Sequence, residues 1–141
     1  MFPLSAWSKK DLWHIRSKAF AIEISLTHGV TSPEKGPYRW NVYAYIYPTH
    51  PHFAKFTDEE VWQEAATALP LHGGATFLRW FCGQNGEPHC IQVGSDYAHA
   101  WDDEFSFFSS PEEASQVFAD AEELFHWLEN YDLDVDVPAE D

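Results

Sequence analysis

Histidine and aspartate residues recur in three short segments that follow or precede the predicted strands. His50 lies in Tyr47-Pro48-Thr49-His50-Pro51, His72 in Leu71-His72-Gly73-Gly74, and two more candidates in Gly94-Ser95-Asp96-Tyr97-Ala98-His99. Imidazole nitrogen and carboxylate oxygen are suitable ligands for zinc, iron or manganese. Loop residues at strand ends can converge, because sheet packing does not fix them first. We therefore predict a Zn, Fe or Mn site whose ligands are His50, His72, Asp96 and His99.

Two further carboxylates follow this segment and could supply acid–base chemistry. Asp102 and Asp103 lie within a few residues of His99, and a carboxylate beside a metal-bound water can act as its general base. This pattern suggests a metal-dependent hydrolase of a nucleotide or phosphoester. The sequence lacks His-Glu-x-x-His, Cys-x-x-Cys and Walker-loop signatures. The alternatives are a ligand pocket without a metal and loop residues that only form hydrogen bonds.

The charge of the chain is strongly uneven. The net charge is -15, yet residues 1–101 hold nine Asp and Glu against all eight Lys and Arg. Residues 102–141 hold fourteen Asp and Glu and neither Lys nor Arg. Binding to a phosphate backbone or to an anionic membrane depends on cations. We therefore expect neither direct nucleic-acid binding nor membrane binding, and we expect a basic protein surface as the partner.

The acidic side chains that could meet such a partner lie in a predicted helix over 111–130. Ser110 and Pro111 have the residue types of an N-cap and first helical position. The candidate partner-binding residues are Glu113, Asp120, Glu122, Glu123 and Glu129. They could mimic the phosphates of a nucleic acid, which predicts an inhibitor of the anti-CRISPR or antirestriction type. A solvated helix that only favours solubility is the alternative.

Hydrophobic periodicity predicts the elements that must position these residues. We expect helices over 8–18, 57–69 and 111–130, and strands over 20–26, 38–47, 76–82 and 90–95. The resulting order α-β-β-α-β-β-α predicts a single α+β domain over 1–131, with helices covering an antiparallel sheet. Residues 132–141 are predicted to be an acidic tail or an edge strand.

A tyrosine stripe, Tyr43, Tyr45 and Tyr47, lies on one face of the predicted strand over 38–47. Aromatic rings on a sheet can stack nucleobases, but such platforms need basic neighbours. Only Arg39 and Lys55 are close in sequence, so packing beneath a helix is the favoured interpretation. The N-terminus lacks the hydrophobic segment of a secretory signal. We therefore expect a cytoplasmic protein.

The three histidine-containing segments, extended to Asp102 and Asp103, resemble those of small proteins of phages, prophages and plasmids. The resemblance covers about residues 38–105, leaves out the acidic helix and implies no established activity. It implies a bacterial host cell and a mobile-element setting, in which small acidic proteins often act against host nucleases. It also implies that a single site contains His50, His72, Asp96, His99 and Asp103.

Overall fold

The computed structural model describes residues 12–28, 36–58, 60–97 and 102–130, which form an α+β architecture. A five-stranded sheet has the order β1-β2-β3-β5-β4, and every neighbouring pair is antiparallel. Its strands are β1 (Leu12–Arg16), β2 (Phe20–His28), β3 (Tyr38–Ile46), β4 (Phe77–Cys82) and β5 (Pro88–Asp96). The α-helices are α1 (Phe53–Phe56), α2 (Trp62–Ala68) and α3 (Ser115–Asn130), and a 3₁₀ helix spans Asp103–Phe107. The predicted α+β class with an antiparallel sheet is confirmed.

The core lies between α3 and one face of the sheet. Alternate residues of the strands point to this face, and apolar residues of α3 recur every three or four positions. Trp40 is fully buried; its ring stacks on that of Trp13 at 5.6 Å, and its indole N–H donates to the Phe108 carbonyl at 3.0 Å. The core residues of α3 are Val117, Phe118, Ala121, Leu124, Phe125 and Leu128.

The first predicted helix is wrong over the residues that the structure describes. Residues 12–16 form strand β1, and residues 8–11 lie outside the described part. Trp13 pairs with Ile24 and Ile15 with Ile22 in the antiparallel ladder. The short segment fits both helical and strand spacing, and pairing with β2 decides between them. The described order is therefore β-β-β-α-α-β-β-α.

The helix predicted over 57–69 is shorter than expected and spans only Trp62–Ala68 as α2. The Thr57 hydroxyl donates to the Ala54 carbonyl at 3.2 Å, so Thr57 follows α1 as its C-terminal cap. The Glu60 N–H donates to the Asp58 carboxylate at 2.7 Å in the turn that follows. Helix α2 then begins at Trp62. Thr57 and Glu60, whose residue types and spacing match a helix capping box, thus lie in the connection between two short helices.

The two faces of the sheet differ in what covers them. Tyr43 and Tyr45 lie half-buried on the face opposite α3, so α3 is not a helix beneath which they pack. The Asn-Gly pair between the strands predicted over 76–82 and 90–95 is a hairpin signal. Strands β4 and β5 do form a hairpin there, and Gly86 adopts a φ of 83°. No helix within the described ranges is long and apolar enough to cross a membrane. The predicted tail over 132–141 lies outside these ranges.

Candidate functional site

A histidine–aspartate pair joins the two ends of the β4–β5 hairpin. His72 precedes β4 in a turn that contains Gly73 and Gly74, with φ values of 69° and 86°. Asp102 follows β5 and immediately precedes the 3₁₀ helix. The His72 Nε2 lies 2.7 Å from the Asp102 Oδ1, and the Asp102 side chain is fully buried. The carboxylate therefore holds the imidazole ring in a fixed orientation.

The His72 ring also stacks on a tyrosine that contacts α3. The ring centroids of His72 and Tyr97 are 4.2 Å apart with an interplanar angle of 13°. The Tyr97 hydroxyl donates to the Asp120 carboxylate at 2.5 Å, and the Gln116 amide donates to the same carboxylate at 2.7 Å. Burial, followed by the bond to Asp120, raises the pKa of Tyr97. Tyr97 thus remains a neutral hydrogen-bond donor.

A shallow groove of about 420 Å³ opens beside this cluster. Pro70 and Leu71 form an apolar wall, while α3 contributes polar side chains to the opposite wall. The polar lining residues are His72, Gln116, Asp120 and Glu123. The groove therefore combines an oriented imidazole with two carboxylates, which favours a cationic ligand or a proton-transfer role for His72.

Of the two predicted catalytic residues, Asp102 is the one that contacts His72. The Asp102 carboxylate is buried against His72 and does not line the groove, whereas the His72 ring does. An aspartate in that position orients a histidine and stabilises its protonated form. Asp103 begins the 3₁₀ helix. If the groove carries out acid–base chemistry, His72 is the residue that exchanges the proton.

His50 has a structural environment that uses both ring nitrogens. Its Nε2–H donates to the Leu128 carbonyl at 2.9 Å, near the end of α3, where such carbonyls lack an intrahelical donor. Its Nδ1 accepts from the His52 N–H at 3.0 Å. These two bonds define a neutral imidazole, and burial lowers the pKa of His50 despite the opposing effect of the Leu128 carbonyl. A metal ion at His50 would displace one of these partners.

Three of the four predicted metal ligands, His50, His72 and Asp96, lie in the described ranges, and the structure separates His50 from His72. Leu128 and the groove residue Asp120 are eight positions apart on α3, which separates the surroundings of His50 and His72 by about 12 Å. Asp96 is half-buried at the end of β5. Within the described ranges, no three His, Cys, Asp or Glu side chains are arranged to hold a metal ion. His99 lies outside those ranges, so the four-ligand site remains a prediction.

The predicted partner-binding carboxylates have unequal environments. Glu113 accepts from the Ser109 N–H at 2.8 Å, and Asp120 accepts from Tyr97 and Gln116. Glu129 lies 3.4 Å from the His126 Nδ1, and both side chains are about half exposed. Glu123 is exposed, and Glu122 is half-buried. Two of the five carboxylates therefore help to stabilise the fold, while Glu123 and Glu129 face the solvent.

Tyr97 and Gln116 are site residues that the sequence analysis missed. The alternation of β5 that buries Ile91, Val93 and Ser95 continues to Tyr97, which is 2% exposed. Helical spacing likewise places Gln116 beside Asp120, because residues four positions apart are neighbours on a helix. Both signals were present in the sequence, but neither residue is a usual metal ligand or catalytic base.

Comparison of the whole chain with known proteins does not place it in a family. No family model, curated protein or solved structure matches it.

Proposed function

We propose that this protein is a cytoplasmic inhibitor encoded by a mobile element, which binds a basic, nucleic-acid-binding effector of a bacterial host. The acidic surface on and around α3 would occupy the effector's nucleic-acid site, as an anti-CRISPR or antirestriction protein does. The observation that carries this proposal is the charge of residues 102–130, which contain nine Asp and Glu and neither Lys nor Arg. A field of one sign steers association with a surface of the opposite sign.

The packing of α3 supports this role because it gives the acidic surface a defined geometry. The apolar side of the helix is buried against the sheet, so its exposed side chains project from a rigid support. Glu123 and Glu129 are exposed on α3, and Glu112 is exposed in the turn before it. Asp120 adds negative charge at the groove while remaining bonded to Tyr97. A partner's arginine or lysine side chains would meet these carboxylates.

The test is inhibition of DNA cleavage by a panel of purified bacterial restriction and CRISPR nucleases. We expect the wild-type protein to inhibit at least one nuclease at near-stoichiometric amounts, and inhibition to weaken as salt rises, because salt screens exposed charges. The triple variant Glu122→Gln, Glu123→Gln, Glu129→Gln should raise the half-inhibitory concentration at least tenfold. Asp120 is retained because it helps to stabilise the fold.

A matched triple variant separates the position of the charges from their number. Glu60, Glu64 and Glu87 are exposed and lie outside 102–130. Replacing these three residues with glutamine removes the same total charge and should leave inhibition within about twofold of wild type. Equal loss in both triple variants, or inhibition that is independent of salt, would contradict the proposed use of α3.

The second candidate function is a hydrolase of a nucleotide or phosphoester, which the 2.7 Å contact between His72 and the buried Asp102 favours. His72 would exchange the proton, and Asp102 would hold the His72 ring in position. The test measures the metal content of the purified protein and its hydrolysis of nucleotides and p-nitrophenyl phosphate. We expect Asp102→Asn to lower turnover at least a hundredfold, while Glu64→Gln, an exposed carboxylate outside the groove, leaves it unchanged. Metal-free protein without turnover would exclude this candidate.

A further inference from the structure

The sheet face opposite α3, here called the open face, carries an ordered set of aromatic and cationic side chains. Directly opposed residues of an antiparallel sheet share one face. One cross-strand row contains Arg16, Ala21, Tyr45, Gln92 and Arg79, and the adjacent row contains His14, Glu23, Tyr43, Gly94 and Phe77. The sheet register thus places residues from all five strands on one surface.

The aromatic rings of the open face lie at its outer surface. Phe77 is 39% exposed, and Tyr43 and Phe81 are half-buried. The Tyr43 and Phe77 rings meet edge to face with centroids 5.8 Å apart. A β-carbon on Gly94 would lie 2.5 Å from Cδ1 of Tyr43. Glycine at this position therefore lets the Tyr43 ring lie across the strand and reach Phe77.

All three arginines of the chain are exposed on this face. Arg79 is stacked between two aromatic residues, with its guanidinium carbon 4.8 Å from the Phe81 ring centroid and 5.7 Å from that of Phe77. Arg16 lies at the opposite end of the Arg79 row, and Arg39 lies in β3. Two half-buried carboxylates, Glu23 and Asp96, share the face. The exposed charges here are thus cationic, unlike those of α3.

We propose that the open face binds a single-stranded nucleic acid. Bases would stack on Phe77, Phe81 and Tyr43, and phosphates would pair with the exposed arginines. Base–aromatic stacking on a sheet, combined with cations that follow the backbone, is the usual chemistry of single-strand recognition. In sequence, only Arg39 and Lys55 lie near the tyrosines. Strand pairing adds two further cations by bringing Arg16 and Arg79 into one row with Tyr45.

This proposal departs from the expectation that the net charge excludes direct contact with nucleic acid. The sheet separates the acidic surface of α3 from the open face, and salt screens charges farther apart than about 8 Å at physiological ionic strength. The remaining repulsion would make binding weak. The three arginines can contact at most three phosphates. A plot of log affinity against log salt concentration should therefore have a slope no steeper than about -2.

The test is fluorescence anisotropy of a labelled 15-residue oligothymidylate, titrated with the full chain at low salt. We expect saturable binding in the micromolar range, and no comparable binding to a duplex of the same length, because its bases are already stacked. Phe77→Ala should weaken binding by about tenfold, consistent with the loss of one stacked base. Arg79→Gln should weaken binding and make the salt slope shallower by about 0.7.

Matched controls use residues away from the open face. Phe107→Ala removes an aromatic ring that is 56% exposed, more than Phe77. Lys55→Gln removes one cation from α1. Both variants should bind the oligothymidylate with the affinity of the wild type. The triple variant with Glu122, Glu123 and Glu129 replaced by glutamine should bind as well as the wild type or more tightly. This result would separate the open face from the acidic surface of α3. Absence of binding at 100 µM protein, equal binding to the duplex, or equal losses in the control variants would overturn the proposal.

Discussion

At the scale of single residues, the buried His72–Asp102 pair should be a large contributor to stability. Removing one partner of a buried hydrogen-bonded pair is destabilising, because the remaining polar group loses a bond that water does not replace. We expect His72→Ala to lower the free energy of unfolding by about 1–3 kcal/mol, as measured by urea denaturation. Asp102→Asn retains an acceptor for the ring and should cost less. If His72→Ala changes stability by less than about 1 kcal/mol, the carboxylate has another sufficient partner.

His50 should make stability depend on pH. Burial lowers the pKa of His50 in the folded protein, whereas the unfolded chain has the usual value of about 6.5. The unfolded state therefore binds the proton first as the pH falls, and stability should decrease below about pH 6.5 by up to 1.4 kcal/mol per pH unit. Urea denaturation at pH 7.5 and 5.5 should show a smaller decrease for His50→Gln than for wild type. The control His126→Gln changes an exposed histidine and should retain the full decrease.

At the scale of elements, α3 and the sheet depend on each other through large apolar contacts. The Phe125 ring lies 5.0 Å from that of Phe20 between centroids, and both residues are at least nine-tenths buried. We expect Phe125→Ala to lower the free energy of unfolding by about 3–5 kcal/mol. Glu123→Ala, on the exposed side of the same helix, should change it by less than about 0.5 kcal/mol. Similar effects of the two substitutions would mean that α3 is not held by its apolar side.

The elements at the ends of the sheet show where local pattern and tertiary packing compete. The segment 12–16 satisfies helical spacing in isolation, but its backbone groups pair with β2. The Thr57 side chain matched the start of a helix and instead bonds back to α1. Short segments leave this choice open, because five residues cannot show a period of 3.6 clearly. The longer periodic segment in β3 was assigned correctly, whereas α3 begins at Ser115, four residues after the predicted start at 111.

At the scale of the whole molecule, the separation of charge should affect stability through repulsion. Residues 102–130 contain nine carboxylates without Lys or Arg, and like charges close together on a helix are destabilising. Raising NaCl from 0.01 to 0.3 M screens this repulsion and should raise the Tm of the wild-type protein by a few degrees. The triple variant at Glu122, Glu123 and Glu129 should show a smaller salt effect. A larger salt effect in that variant would place the dominant repulsion elsewhere.

The sequence by itself determined the α+β class, the hairpin at Asn85-Gly86, the apolar side of α3 and the uneven charge, because these features depend on local turn chemistry, periodicity and composition. Only the tertiary structure decided which side chains meet. In the folded protein His72 contacts Asp102, both ring nitrogens of His50 form hydrogen bonds, and the Tyr97 hydroxyl donates to Asp120. The tertiary structure also brought Arg79 beside the aromatic rings of the open face. Such contacts join residues far apart in sequence, and the register of the sheet and the docking of α3 determine them.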